Sequence, residues 1–232
     1  MTYAEALDFI WKLTDYERLT GYDYSAKRFD LGRVRELLRR LDDPQRRFPL
    51  AHVAGTKGKG STCAMLEAVL RSAGRRTGLY TSPHLHTVRE RIQIDGCPLG
   101  RDEFAEAAGA VAEAMRGIEG ITSFEALTAA AFVAFAAAGV DTGVIEVGLG
   151  GRLDATNVIE PYVTAITSIS YDHVGILGST LPQIAIEKAG IIKGGVPVIS
   201  AFQADGVRDV VGGRAGQLGA PLEVLGRDWV CL

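Results

Sequence analysis

His52-Val53-Ala54-Gly55-Thr56-Lys57-Gly58-Lys59-Gly60-Ser61-Thr62 is the stretch on which the reading of this chain turns. Ahead of it, Phe48-Pro49-Leu50-Ala51 opens an apolar run with the character of a short buried strand. Behind it, Cys63-Ala64-Met65-Leu66-Glu67-Ala68-Val69-Leu70 carries apolar residues at helical spacing. A strand, a glycine-rich turn and a helix make a cradle for phosphate. Gly55, Gly58 and Gly60 let backbone N–H groups come close to an anion, the helix N-terminus adds partial positive charge, and Lys59 adds a full one. Ser61 or Thr62 can turn a hydroxyl toward Mg²⁺. The usual phosphate loop reads G-x-x-x-x-G-K-S/T; here a glycine stands between Lys59 and Ser61, and the first glycine lies closer in. The competing reading is a plain glycine-rich turn with an incidental lysine. The flanking strand and helix favour nucleotide phosphate.

Outward from that stretch, the chain has 232 residues, 47% apolar and 23% charged, ordinary for a globular protein with a sizeable core. One large domain, or one and a half, fits that length. A formal charge of −3 gives no basis for nucleic-acid binding, and no Lys/Arg run suggests a membrane surface. Cys63, Cys97 and Cys231 are odd in number and widely spaced, which reads as free thiols in a reducing cytoplasm. The N-terminus carries Glu5 and Asp8 and lacks the basic start of a signal peptide. The most apolar segment, 126–138, is too short to span a bilayer and reads as a buried helix.

Helices are predicted over 3–13, from the N-cap Asp30 to about Leu41, and over 102–115, 124–138, 181–189 and 206–218. Strands are predicted over 76–80, 144–147, 162–169, 196–200 and 221–225, with a short hairpin at 92–94 turning on Asp95-Gly96. The segment 20–29 reads as a loop. Alternating strands and helices predict an α/β protein with a doubly wound, mostly parallel sheet. Ligands gather at the carboxyl ends of strands in such sheets. Lys59, Ser82, Glu146 and His173 each close or follow a strand.

Glu146 sits in a strand of Val144, Ile145 and Val147, where a carboxylate is costly to bury unless paired or bound to metal. An exposed edge position is the alternative; an acid on a strand beside a phosphate loop favours Mg²⁺. His173 beside Asp172 is balanced between metal ligand and satisfied core histidine. Ser82 before Pro83 is a turn serine or a held hydroxyl. Lys188, between Glu187 and Ala189, reads from the residues alone as a solvated helical lysine. Asp154 and Asn157, beyond Gly148-Leu149-Gly150-Gly151, bind substrate or satisfy loop backbone. The residues taken by themselves point to a Mg²⁺-nucleotide enzyme of phosphoryl-transfer type with an unknown acceptor.

Several stretches together resemble the Mur ligase superfamily, in particular its folylpolyglutamate synthase/dihydrofolate synthase branch. They are Ala54 to Ser61, Thr81-Ser82-Pro83-His84-Leu85, Phe124-Glu125-Ala126-Leu127-Thr128, the run from Glu146 to Asn157, Asp172-His173, and Glu187-Lys188-Ala189-Gly190-Ile191-Ile192. They cover nearly the whole chain in order. The resemblance implies an ATP-dependent amide ligase, expected as a cytoplasmic monomer. A substrate carboxylate would attack the γ-phosphate of ATP, and the amino group of L-glutamate would displace phosphate from the acyl phosphate. The acceptor would be dihydropteroate or a reduced folate. A peptidoglycan-precursor ligase, a kinase-type phosphate-loop protein and a non-catalytic nucleotide-binding fragment are the alternatives.

Carried over by position, the resemblance implies that Thr56, Lys57, Gly58, Lys59, Gly60 and Ser61 wrap the ATP phosphates. Ser61, Ser82, Glu146 and His173 would hold Mg²⁺, and Lys188 would face it as a carbamate. Lys59, His173 and Lys188 would carry the catalysis. The folate side would lie against Arg28, Phe29, Asp30 and Leu31, against Thr122, Ser123, Phe124 and Glu125, and against Leu153, Asp154 and Ala155. Phe124 can stack on a pterin, and Asp154 can accept from its amino and ring N–H groups. Lys57 stands where many members have Asn, and Gly194-Gly195 replaces a more usual Pro-Gly. Members continue for nearly as many residues again beyond Trp229-Val230-Cys231-Leu232. The expectation is therefore a Mur-ligase-like ATP-binding domain over 1–232, truncated before a C-terminal glutamate-ligase domain.

Overall fold

The computed structural model describes residues 1–16, 25 and 29–230. Its helices are α1 (Tyr3–Lys12), α2 (Leu31–Arg40), α3 (Lys59–Ser72), α4 (Arg101–Ala114), α5 (Ser123–Ala138), α6 (Val174–Leu177), α7 (Leu181–Ala189) and α8 (Asp205–Gln217). Its strands are β1 (Leu50–Ala54), β2 (Thr77–Tyr80), β3 (Ile92–Ile94), β4 (Cys97–Pro98), β5 (Thr142–Glu146), β6 (Val163–Ile166), β7 (Val198–Ser200) and β8 (Leu222–Val224). All eight lie in one sheet, in the order β4-β3-β2-β5-β1-β6-β7-β8. The pairs from β2 through β8 are parallel, and the hairpin β3–β4 adds an antiparallel edge.

β1 sits between β5 and β6, and its five residues are all buried. From β1 the chain crosses to one side of the sheet at β2, and from β6 it runs to the other at β7. That reversal opens a crevice at the carboxyl ends of β1 and β6, where doubly wound sheets hold ligands.

Two layers cover the sheet unequally. On one face Leu50, Tyr80, Ile92 and Ile145 join α1, α2, α4 and α5 in the largest core cluster. Ile166 and Val198 join α7 and α8 in a second cluster. On the other face Val53, Leu79 and Val144 pack on Cys63, Leu66 and Leu70 of α3. α5 is the central pillar: alanines from Ala126 to Ala131 let it approach closely, and Phe132 and Phe135 fill the space with no exposure. A reciprocal Thr122–Glu125 capping box starts it, and Gly139 in the left-handed region ends it.

The expected elements are present with shifted ends. Asp30 caps α2 as read, accepting the Gly32 N–H at 2.8 Å. β6 stops at Ile166, short of the predicted 169, because the next residues leave the sheet to meet the glycine-rich loop. The single turn α6 was not anticipated; four residues carry too little periodicity to announce a helix. Among the described residues no helix is long and apolar enough to cross a membrane.

Candidate functional site

The glycine-rich loop is fixed from behind by the segment that follows β6. The Thr56 N–H donates to the Ser168 carbonyl at 2.9 Å, and the Lys57 N–H reaches the same oxygen at 3.4 Å. Thr56 Oγ1 donates to the Ser170 carbonyl and accepts the Ser170 N–H, both at 3.1 Å. Gly55 has φ 149°, and a Cβ there would lie 1.8 Å from Thr167 Oγ1. Gly58, at φ 83°, starts α3 with no side-chain cap. The first N–H groups of α3 thus remain for an anion to take. Gly55→Ala is expected to lower the melting temperature by about 4–8 °C, from roughly 2 kcal/mol of overpacking. Thermal denaturation checks this, and an unchanged midpoint would contradict the contact.

Three charged side chains converge at this loop. Lys59 Nζ turns back to the Thr56 carbonyl at 3.5 Å. Lys188, on α7 and 4% exposed, donates to the Gly55 carbonyl at 2.7 Å. The solvated lysine that its residues alone suggested is therefore buried. Burial first, and the neighbouring Lys59 charge second, lower its pKa to about 8. Glu146 closes β5 at 4% exposure, and its Oε2 accepts the Ser82 N–H at 3.1 Å. Burial raises its pKa against the opposing pull of that N–H and of Lys59. A Cβ on Gly60 would stand 3.3 Å from Glu146 Oε2, so the first turn of α3 lies against the carboxylate. Ser61 and Lys57 are exposed on the same turn and loop.

His173 follows Asp172, whose charge acts on Lys188. It is exposed, at φ 49°, begins α6 and pairs with Asp172 at 3.8 Å. Among the described residues no three His, Cys, Asp or Glu side chains form a ready metal cluster. Mg²⁺ asks for less, because it takes oxygen ligands and keeps several waters. Glu146, for which the Ser82 N–H is the one hydrogen-bond donor among the described residues, leaves its second oxygen to fit such an ion.

The elements that carry most of the described residues expected on the folate side, α2, α5 and the turn Ala155–Val158, pack on one another. Arg33 of α2 pairs with Glu125 of α5 at 3.0 Å. Phe29 lies against Tyr16, with ring centroids 5.1 Å apart, and Leu31 opens α2. Arg28 lies outside the described residues. Thr122 and Glu125 cap each other, and the Ser123 N–H donates to the Thr14 carbonyl at 3.0 Å. Phe124 is half-buried between Tyr80, at 6.0 Å, and Gly148, whose missing side chain leaves room for its ring. Leu153 and Ala155 are buried. Asp154 is buried with both oxygens engaged: Oδ2 accepts the Leu149 N–H at 2.8 Å, and Oδ1 accepts the Thr156 N–H at 3.0 Å and its hydroxyl.

Five residues were missed in the sequence. Thr167, Ser168 and Ser170 hold the glycine-rich loop, but short polar residues after a strand carry no signature. Gln203 braces them, accepting the Ile169 N–H at 3.1 Å and donating to the Thr167 carbonyl at 2.9 Å. His52 had a signal that went unread, a polar ring inside an apolar strand. It is wholly buried, with Nε2 2.8 Å from Thr156 Oγ1, and burial lowers its pKa to about 3. The unfolded chain takes up that proton near pH 6.5, while the folded chain takes it up only near 3. Stability is therefore lost as pH falls from about 6.5 toward 3. Melting curves of wild type and His52→Gln are expected to converge as pH falls through this window; parallel curves would refute the buried neutral ring.

A model of the Mur ligase middle domain matches residues 53–201. The dihydrofolate synthase/folylpolyglutamate synthase of Bacillus subtilis is 41% identical over 201 residues, 84% of this chain and 47% of that protein. The apo form of L. casei FPGS superposes with a TM-score of 0.89 at 35% identity, covering 98% of this chain and 55% of that one. An FPGS complex with AMPPCP and folate gives the same TM-score and identity, over the same shares of the two chains. The chain thus spans about half the length of these relatives.

Proposed function

The chain belongs to the Mur ligase family, and on that premise we propose that it supplies the ATP-binding and folate-binding half of an amide ligase joining L-glutamate to dihydropteroate or a reduced folate. The observation that carries this reading is the convergence of the uncapped α3 N-terminus, Lys59, Glu146 and Lys188 at the carboxyl ends of β1 and β5.

In the first step a carboxylate oxygen of the folate-side acid attacks the γ-phosphorus of ATP. The bond to the β-phosphate oxygen breaks, giving ADP and an acyl phosphate. In the second, the free amine of glutamate attacks the acyl carbon, phosphate leaves, and the amide nitrogen gives up a proton. The first step brings two anions together. Backbone N–H groups of the loop, with Lys59, offset that repulsion and stabilise charge on the transferring group. Lys57 adds a further cation beside them. Mg²⁺, when bound, neutralises phosphate charge; Glu146, Ser61 and Ser82 would hold it, with His173 reaching in from the start of α6. Lys188 serves as a carbamate facing that charge. Phe124 would stack on the pterin, with Leu153 and Ala155 beside it. A monomer working in the cytoplasm belongs to the same reading; Cys63 and Cys97 are both free.

Calorimetric titration with Mg²⁺ and a non-hydrolysable ATP analogue is expected to show saturable binding at one site. No binding at millimolar analogue would refute the proposal.

A further inference from the structure

His52 is the one polar side chain within β1, the strand that runs directly into the glycine-rich loop. Its Nε2 lies 2.8 Å from Thr156 Oγ1, and the same hydroxyl contacts Asp154 Oδ1. Asp154 in turn receives the Thr156 N–H and the Leu149 N–H, so its carboxylate acts as an acceptor throughout. The Thr156 hydroxyl has one proton, and Asp154 takes it. Thr156 Oγ1 must then accept from His52, which fixes the ring as the Nε2–H tautomer. The far side of the ring agrees, since Nδ1 is buried with no hydrogen-bond partner among the described residues. A bare lone pair is tolerable there, whereas an Nδ1–H would be a buried donor with nothing to meet.

This relay joins two halves of the site. At one end is the strand that launches the phosphate loop. At the other is Leu149, three residues after Glu146, in the loop that leads to Leu153, Asp154 and Ala155. We propose that His52 is a positioning residue which, through Thr156 and Asp154, sets the 148–155 loop against β1 and so places the folate-side contacts relative to the phosphate loop. The effect on substrate rests on the ligase reading; the effect on the loop does not.

The test uses the 232-residue chain with four variants: His52→Gln, whose amide N–H can stand in for Nε2–H, His52→Leu, Thr156→Val, and the double variant His52→Leu/Thr156→Val. In the wild type, nitrogen-15 shifts of the four histidines should show one neutral Nε2–H ring that does not titrate between pH 5 and 8. An Nδ1–H or doubly protonated ring at His52 overturns the proposal. Amide exchange at Leu149 should quicken about tenfold or more in His52→Leu and in Thr156→Val, no further in the double variant, and little in His52→Gln. Dihydropteroate affinity should follow the same order, while the dissociation constant of the ATP analogue stays within about twofold. Unchanged Leu149 exchange, multiplied losses in the double variant, or His52→Gln as impaired as His52→Leu each overturns the relay. Thr156→Val keeps shape and volume and carries the test if His52→Leu does not fold. A wild type that binds no dihydropteroate refutes the ligase reading, and the tautomer and exchange results still decide the relay.

Discussion

Lys59→Ala is expected to weaken binding of a Mg²⁺–ATP analogue by on the order of 100-fold or more, with the fold intact. Lys59 is the first residue of α3, and among the described residues its ammonium's one hydrogen bond is long, 3.5 Å, to the Thr56 carbonyl. Removing it breaks no buried pair and leaves no cavity, so the melting temperature should hardly move. The loss falls on the ligand, because the phosphates then meet backbone N–H groups and a helix terminus without a full charge. Lys57 is exposed and lies on the same loop, so Lys57→Ala should cost less and do so more strongly at low salt. Titration of both variants checks this. An analogue affinity retained in Lys59→Ala would remove that residue from the site.

Lys188→Ala is expected to abolish ADP release driven by the acid substrate alone, and short carboxylic acids should restore part of it. With a pKa near 8, about a quarter of the side chain is free amine at pH 7.5, against about a thousandth for an ordinary lysine. Only the free amine can add to CO₂, forming a C–N bond and releasing a proton to leave a carbamate. Burial next to Lys59 and the Gly55 carbonyl thus favours the free amine that the proposed carbamate requires. Removing CO₂ from the buffer should slow the wild type and leave Lys188→Ala unaffected. Full activity in the variant, or indifference of the wild type to CO₂, would take the carbamate out of the mechanism. The same depressed pKa makes the folded chain bind fewer protons than the unfolded one between about pH 8 and 10.5, so this residue's contribution to stability rises across that window.

The glycine-rich loop, the parallel sheet and the acid on β5 were legible because each is a local pattern with a physical reason. Glycine spacing announces a close backbone approach, and a carboxylate among valines announces a partner. Lys188 was half legible. It follows Ile184 by four residues and Ala185 by three, which places it on the buried stripe of α7, yet a charge beside Glu187 argued for solvent. Glu187 instead turns to Arg152 at 2.9 Å and leaves Lys188 to the core. Asp154 was open between two roles, and its two engaged oxygens show it holding its own loop. The fit of Gly55 against Thr167 was not legible at all. A space between residues more than a hundred positions apart exists only once β1 and β6 are paired.

The central claim is that this chain, as the proposed half of a ligase, carries the folate side as well as the nucleotide side. The measurement that meets it most directly is calorimetric titration of the chain with dihydropteroate and, separately, with a UDP-muramoyl peptide, each in Mg²⁺ and a non-hydrolysable ATP analogue. Saturable dihydropteroate binding, weakened in Phe124→Ala and absent for the muramoyl peptide, is the expected result. Binding of the muramoyl peptide, or of nucleotide with neither acid, would contradict it.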